Sequence, residues 1–383
     1  MYSENDLQSA VKAGVIEPSM ADALRDFVGR TNTASQANEE HFRLVSGFND
    51  IFVTIAAVIM LFAMWWIGNS LQTDLHNYSG TGKPSEAVDY GRYKAVGPIF
   101  CAAMAWCLAE YFTRIRRMAL PSILLLLALV IGIYFGINYH LSDLNYSRFG
   151  EVRSWMDGSG DEARRNAQVI RDNANYAIAA ICTALTAALF WVRMRAPIAI
   201  AAAIGMAAMA LVFGIIYIAG ITDFWTPLPL ILTLGAGIAI FGYAMWWDIS
   251  DTNRATQRSD IAFWLHMLAA PMISHALFGM IGVSDGHRMS SAAVVAVVGL
   301  YAFFATVAII VDRRALLVSA LAYVLIAMTA LFRNFGVIEL GVALTALIIG
   351  SALLLLSAFW APIRRKIMRV LPNSIVSRLS AAT

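Results

Sequence analysis

The feature that most constrains the fold is a series of ten apolar runs, each about 20 residues long. A helix of that length spans about 30 Å, which matches the hydrocarbon core of a bilayer. Charged residues make up only 14% of the chain, far below the share typical of soluble domains. The sequence therefore predicts an all-α, polytopic transmembrane helical bundle. Its spans are expected at roughly 51–69, 95–113, 118–138, 174–192, 196–219, 228–247, 261–282, 291–311, 315–332 and 338–360.

The positive charges predict the orientation of this bundle. Short loops after every second run carry arginines, namely Arg114, Arg116, Arg117, Arg193, Arg195, Arg254, Arg258, Arg313 and Arg314. The short loops on the other side carry far fewer. Because cytoplasmic loops hold the excess of lysine and arginine, both chain ends are predicted to be cytoplasmic. That arrangement requires an even number of spans.

Residues 1–47 precede the first run and are predicted to form a cytoplasmic helical hairpin and linker. Ser3 can cap a first helix, Gly14 can end it, and Pro18 can begin a second. The region holds four Lys/Arg against seven Asp/Glu, so its negative charge argues against a nucleic-acid partner. The hairpin is instead a candidate docking surface for a protein partner.

The other two predicted regions are a transmembrane domain, residues 48–360, and a cytoplasmic tail, residues 361–383. The tail begins with a basic amphipathic stretch from Arg364 to Arg369. This pattern predicts contact with the anionic headgroups of membrane lipids. A homo-oligomer is compatible with the sequence.

Two further patterns concern helix packing. Basic turns recur as RRMA from Arg116, RMRA from Arg193 and RRA from Arg313. This recurrence fits either repeated helical hairpins or the bias for basic cytoplasmic loops alone. Small residues in the fifth and sixth runs predict that these two helices pack tightly together. They are Ala199, Ala201, Ala203, Gly205, Ala207, Gly235, Gly237 and Gly242.

Ionisable side chains inside apolar runs are candidates for function, because a charge in hydrocarbon costs several kcal/mol. The candidates for a proton or substrate pathway are His266, His275 and Glu110. At about 100° per residue, nine residues place the two histidines on nearly opposite helix faces, and Pro271 between them can introduce a kink. An imidazole, with an ordinary pKa of about 6.5, suits a proton relay. The alternative is a neutral core imidazole hydrogen-bonded to a neighbouring helix.

The charged stretch before the seventh run also has two interpretations. It contains Asp248, Asp251, Arg254, Arg258 and Asp260. Spacings of three or four residues allow the first four to form ion pairs on one helix face. Either they join the ends of the sixth and seventh helices, or they form the inner mouth of a pathway. In the second interpretation Asp260 caps the seventh helix.

Several chemistries have no motif in this chain. There is no P-loop, GxSxG, HExxH, CxxCH or glycine-rich nucleotide motif. Cys101, Cys107 and Cys182 lie in apolar runs and are predicted to be buried hydrophobic residues, so neither a metal nor a cofactor is expected. No catalytic residue is assigned. An intramembrane enzyme acting on lipid remains a third option.

Three stretches carry a family resemblance: SGFNDIFVTI from Ser46, RSDIAFWLHMLAAP from Arg258, and WAPIRRK from Trp360. With them, the chain resembles a family of uncharacterised bacterial polytopic inner-membrane proteins that has a short N-terminal helical region before many spans. The resemblance implies a location in the bacterial inner membrane. The family has no assigned reaction, so the resemblance implies no functional residues.

The leading hypothesis from the sequence is a secondary transporter or proton-linked channel that uses His266 and His275. The alternative, from a different class, is a non-catalytic membrane scaffold or accessory subunit. Its N-terminal hairpin and tail would then be docking surfaces.

Overall fold

The structure is a computed structural model. All regular secondary structure in the residues that it describes is helical, which confirms the all-α prediction. The described residues are 11, 13–15, 17–23, 48–79, 95–149, 162–222, 227–251, 256–282, 291–312, 321, 325, 343, 347, 350, 351, 354, 355, 358–370 and 372.

Nine α-helices and one π-helical segment have bounds within these residues. They are α1 (Phe48–Ser79), α2 (Val96–Ala109), the π segment (Glu110–Ile115), α3 (Ala119–Phe149), α4 (Glu162–Met194), α5 (Ile198–Ile218), α6 (Pro227–Ser250), α7 (Gln257–Met280), α8 (Ser291–Val311) and α9 (Trp360–Val370).

Seven helical stretches are long and apolar enough to cross a membrane, and each contains most of one of the first seven predicted spans. They are Asn49–Leu71, Val96–Ile115, Ala119–Asn145, Glu162–Met194, Ile198–Ile218, Pro227–Ser250 and Gln257–Met280. Val295–Val311 is a shorter apolar helix at the place of the eighth. Most residues of the ninth and tenth predicted spans lie outside the described residues, so the count of ten stays a prediction.

Parts of the chain between the predicted spans are also helical. The helix α1 continues to Ser79, α3 continues to Phe149, and α4 begins at Glu162. Residues 162–173, which precede the fourth predicted span, are therefore the first part of α4. A continuous helix satisfies its backbone groups internally, which lets it leave the bilayer without a break.

The chain divides into two compact units, Met1–Arg43 with Ala381–Thr383, and Leu44–Ser380. In the first unit Gly14 has a φ of +69°, as the predicted helix end requires, and residues 18–23 are helical from Pro18 onward. Ser3 and the rest of the predicted hairpin lie outside the described residues.

In the second unit, α7 contacts all three of the buried apolar clusters. It contributes Leu265 and Ala269 to a cluster with α5 and α6, and Phe278 to a cluster with α8 and α9. The partly buried Trp264 packs against the third cluster, which is formed by α1 to α5. The helix that carries His266 and His275 is therefore the central helix of the described bundle.

This position of α7 corrects the predicted packing of the fifth and sixth spans. These helices, α5 and α6, share few contacts, because α5 packs mainly on α4 and α6 packs mainly on α7. A Cβ atom at Gly205 or Gly237 would meet side chains of α7, whereas Gly235 and Gly242 have open space around them. Ala262, Ala269 and Ala270 of α7 are fully buried and supply the close contact instead.

The basic turns share an uncommon backbone conformation. Arg117, Arg195 and Asp312, which follow the π segment, α4 and α8, all have a φ between +53° and +60°. They are the three non-glycine residues with positive φ in the described part of the chain. A left-handed residue lets the chain reverse directly after a helix. Two of the three recurring basic motifs contain such a residue, and Asp312 directly precedes the third, although the internal repeat itself stays a prediction.

The predicted basic tail begins as the helix α9, and one of its arginines is buried rather than exposed. Arg364 is 5% exposed, and its Nη1 lies 3.6 Å from Oδ2 of Asp312. Trp360 donates its indole N–H to Oδ1 of the same carboxylate at 2.9 Å. These contacts hold α9 against the end of α8, while Arg365 and Lys366 are exposed.

Candidate functional site

The structure pairs one of the predicted pathway residues with one of the predicted mouth residues. His266 Nε2 lies 2.9 Å from Oδ2 of Asp248, so the last turn of α6 and the third turn of α7 are joined by an ion-pair contact. The His266 side chain is 1% exposed and the Asp248 side chain is 14% exposed. A buried imidazole and a nearly buried carboxylate thus share one hydrogen bond.

A second carboxylate binds the residue that precedes α7. Asp251 Oδ2 accepts hydrogen bonds from the Thr256 amide at 2.9 Å and from the Thr256 hydroxyl at 2.7 Å. The Thr256 hydroxyl in turn accepts from the Arg258 amide, which makes Thr256 the N-cap of α7. These bonds determine where α7 starts and therefore which of its residues face α6.

The expectation that Asp260 caps this helix is wrong, because Thr256 occupies the N-cap position. Asp260 lies in the first turn, where a carboxylate is stabilised by the positive end of the helix dipole. A capping side chain must precede the helix to reach the free amides of its first turn. The helix begins three residues before Asp260, at Gln257.

The expectation that the mouth residues share one helix face is also not met. Helix α6 ends at Ser250, so Asp251 follows the helix, and its carboxylate accepts a hydrogen bond from Thr256. Arg258 is exposed in the first turn of α7. Arg254 lies outside the described residues.

The surroundings of the pair are apolar. The ring of Phe241, two turns before Asp248, lies edge-on to the imidazole at 5.0 Å between ring centres. Ala262, Leu265 and Ala269 next to His266 on α7 are all fully buried. Since water is largely excluded, the attraction between a charged imidazole and a carboxylate is stronger here than at a surface.

The second histidine is not part of this arrangement. His275 is exposed at the bundle surface, on the side of α7 opposite to buried His266. Nine residues also separate them by about 13 Å along the helix axis. The helix runs through Pro271 without interruption, and the opposite faces are those that an unbroken helical period predicts. The two histidines therefore do not form a direct relay.

The third pathway candidate, Glu110, lies in an ion-pair network at a helix end. Its Oε1 accepts a hydrogen bond from Nε of Arg193, and its Oε2 lies 3.1 Å from Nη1 of Arg114. The Glu110 side chain is 29% exposed. It joins the π segment to α4 through these two arginines, and it is not part of the Asp248–His266 contact.

The chain matches no protein-family model, no curated protein and no solved structure. In the described ranges, no three His, Cys, Asp or Glu side chains are close enough to hold one metal ion. The function is therefore inferred from the Asp248–His266 pair and from the character of the bundle.

Several polar residues of structural importance were not predicted. Asn145 donates to Oδ1 of Asn175 at 3.1 Å, and Asn173 donates to the carbonyl of Ile221 at 3.3 Å. Both Asn173 and Asn175 are at least nine-tenths buried. The signal in the sequence was the DNAN stretch from Asp172, where polar residues continue into an apolar helix.

Proposed function

We propose that this membrane-embedded protein is a proton-linked secondary transporter or channel in which Asp248 and His266 carry the proton. One observation supports this proposal above all: a buried histidine on the central helix bonds to a carboxylate on a neighbouring helix. An ionisable pair inside a membrane bundle costs free energy, and such pairs mark ion and proton pathways.

The two side chains have different access to water, which suggests the order in which a proton passes. Asp248 is the more exposed member and stands at the end of α6, beside the turn formed by Asp251 and Thr256. His266 lies further inside. A proton entering from this end would reach the carboxylate first and the imidazole second, and each group can hold it and release it.

Protonation of the pair also changes the contact between two helices. An imidazolium beside a carboxylate is electrically neutral as a pair, while loss of the shared proton leaves a net negative charge in an apolar cluster. The free energy of the α6–α7 contact therefore depends on the proton. A transporter needs such a link, because a bound proton shifts a conformational equilibrium only if it interacts differently with the two states.

The experiment that tests the proposal combines two measurements on purified full-length protein. Histidine-selective NMR in nanodiscs follows each imidazole between pH 5 and 8, and a pH-sensitive dye in liposomes reports proton flux. We expect His266 to titrate, and we expect Asp248→Asn to change its titration. Flux should be lost in both His266→Gln and Asp248→Asn.

The matched control is His275→Gln, which removes an imidazole from the same helix but from its exposed face. It should keep both the His266 titration and the flux. If His266 stays silent over the whole pH range and the wild-type protein moves no protons, the pair is a packing contact. The transporter proposal then fails.

We also propose the location and the membrane orientation that the sequence predicts. The basic turns and the family resemblance support a bacterial inner-membrane location with both chain ends in the cytoplasm. The exposed basic residues of α9 support contact with anionic headgroups, and a homo-oligomer stays compatible with this arrangement.

The alternative is a scaffold or accessory subunit, and one observation favours it. Met1–Arg43 belongs to a compact unit separate from Leu44–Ser380, as a docking module would. Deletion of residues 1–43 should then remove co-purifying partners while leaving the bundle folded. An unchanged set of partners would count against the scaffold.

A further inference from the structure

The ends of α2 and α4 concentrate positive charge around one carboxylate. The π segment and the turn after it contain Arg114, Arg116 and Arg117, while the last turn of α4 contains Arg193 and the turn after it contains Arg195. Glu110 is the one acidic residue among them. Five guanidinium groups therefore lie on two neighbouring turns with a single negative charge.

Glu110 joins these two turns into one surface. Its two carboxylate oxygens bind different arginines, Arg193 from α4 and Arg114 from the π segment. Both guanidinium groups nevertheless remain about half exposed, at 47% and 51%. The carboxylate thus positions two arginines beside each other without burying their remaining donors.

The other three arginines have no carboxylate partner in the described part of the chain. Arg116 is instead held over the ring of Tyr111, with 5.8 Å between its guanidinium carbon and the ring centre. Arg117 and Arg195 are exposed, and their left-handed backbones follow directly after helical segments. The surface keeps most of its charge uncompensated.

Apolar side chains border this charge on the membrane side. Ile115 is 68% exposed, and Leu185, Leu189 and Val192 of α4 are between 57% and 66% exposed. Spacings of three and four residues place these α4 side chains on one stripe that ends beside Arg193. A ligand that fits the whole surface must combine a negative headgroup with an extended apolar chain.

We propose that the two turns form a binding site for an anionic phospholipid. Its phosphate is recognised by guanidinium groups from both turns, and its acyl chain lies along the α4 stripe. Arginine suits this task because its planar donors match phosphate oxygens. The apolar stripe favours a lipid over free phosphate, which would leave that part of the surface without a partner. The site is separate from the proton pair and from the basic residues of α9.

The test is native mass spectrometry of the full-length protein in detergent, titrated with phosphatidylglycerol or with zwitterionic phosphatidylcholine. The variants are Arg116→Gln and Arg195→Gln, one from each turn and neither in an ion pair in the described residues. The control is Arg148→Gln, which removes an exposed arginine from the last turn of α3. Thermal unfolding checks that all variants are folded.

We expect wild-type protein to retain phosphatidylglycerol in preference to phosphatidylcholine. Each turn variant should weaken that retention by a factor on the order of five, as removal of one basic residue near a headgroup does. The control should retain the lipid like wild type, and millimolar inorganic phosphate should not displace it. Equal retention of both lipids, or an equal loss in the control, would overturn the proposal.

Discussion

Helical threonines show how this chain satisfies polar groups one residue at a time. Five threonines in the α-helices donate their hydroxyl to the carbonyl four residues earlier, at 2.6 to 3.0 Å. Such bonds let a hydroxyl lie in an apolar helix without a partner from elsewhere. They are made by Thr54, Thr183, Thr186, Thr233 and Thr306.

Thr113 differs because it lies in the π segment. It is 5% exposed, and its hydroxyl has no hydrogen-bond partner among the described residues. In the wider π turn, the backbone amide of Arg116 bonds to Tyr111, five residues earlier, so the i−4 carbonyls are displaced from their α-helical positions. The orphan hydroxyl is a consequence of the local backbone.

We predict that Thr113→Val raises the free energy of unfolding by about 1 kcal/mol, because it removes a buried polar group without a partner. Thr183→Val is the control, since the Thr183 hydroxyl is equally buried but donates to Ala179 at 2.7 Å. That variant should be neutral or destabilised. Unfolding in detergent with added denaturing surfactant measures both, and a loss of stability in Thr113→Val would contradict this account.

The helical period predicts the faces on which the two histidines of α7 lie, but it does not predict the partner of His266. The helical period alone placed His266 and His275 on opposite faces, and the structure buries one and exposes the other. The same reasoning did not identify Asp248 as the partner of His266. Eighteen residues and a turn separate them, so their contact depends on how α7 is rotated about its axis.

At the scale of elements, glycine determines how closely α1 and α2 approach. A Cβ atom at Gly68 would lie 2.7 Å from the Cα atom of Gly97, and one at Gly97 would lie 2.7 Å from the carbonyl oxygen of Trp65. Cβ atoms in proteins essentially never lie closer than 3.0 Å to such atoms, so a methyl group does not fit at either position. The two helices therefore touch through their backbones, as small residues permit in membranes.

We predict that Gly97→Ala lowers the free energy of unfolding by about 1 to 3 kcal/mol, because the added methyl group forces α1 and α2 apart. Gly235→Ala in α6 is the matched control, since a Cβ there meets nothing within 4 Å. It should be neutral or slightly stabilising, as alanine favours helix. Equal stability of the two variants would show that the close approach is absent.

The basic turns allow a second test at this scale. Arg117 has a φ of +53°, while Arg116 beside it has a φ of −80°. Glycine relieves a left-handed strain of about 1 kcal/mol, so Arg117→Gly should be more stable than Arg116→Gly by a similar amount. Both variants lose the same charge. A reversed order in thermal unfolding would rule out the left-handed turn.

For the whole molecule, the arginine pattern predicts that both chain ends lie on the same side of the membrane. Cysteine is introduced at Ser3, Ser159 or Ser380 in a background without Cys101, Cys107 and Cys182. In intact cells, an impermeant maleimide should label only the cysteine at Ser159. Labelling of one terminus but not the other would show an odd number of spans.

The sequence by itself determined the class of the molecule and the position of seven of its spans. These properties depend on the length and polarity of local segments, since an apolar run of about 20 residues in a bilayer must satisfy its backbone as a helix. The end of the first N-terminal helix at Gly14 is local in the same way.

The tertiary structure alone decided which helices touch. The stripes of small residues on α5 and α6 predicted a contact between those helices. In the structure α7 lies between them and packs against both. The tertiary structure likewise pairs Asp248 with His266 and Glu110 with Arg193. Inside lipid most of each helix surface is apolar, whether it faces lipid or another helix. The hydrophobic pattern therefore does not identify which helix packs against which. Close fit and polar contacts between distant residues do, and neither is encoded within one segment.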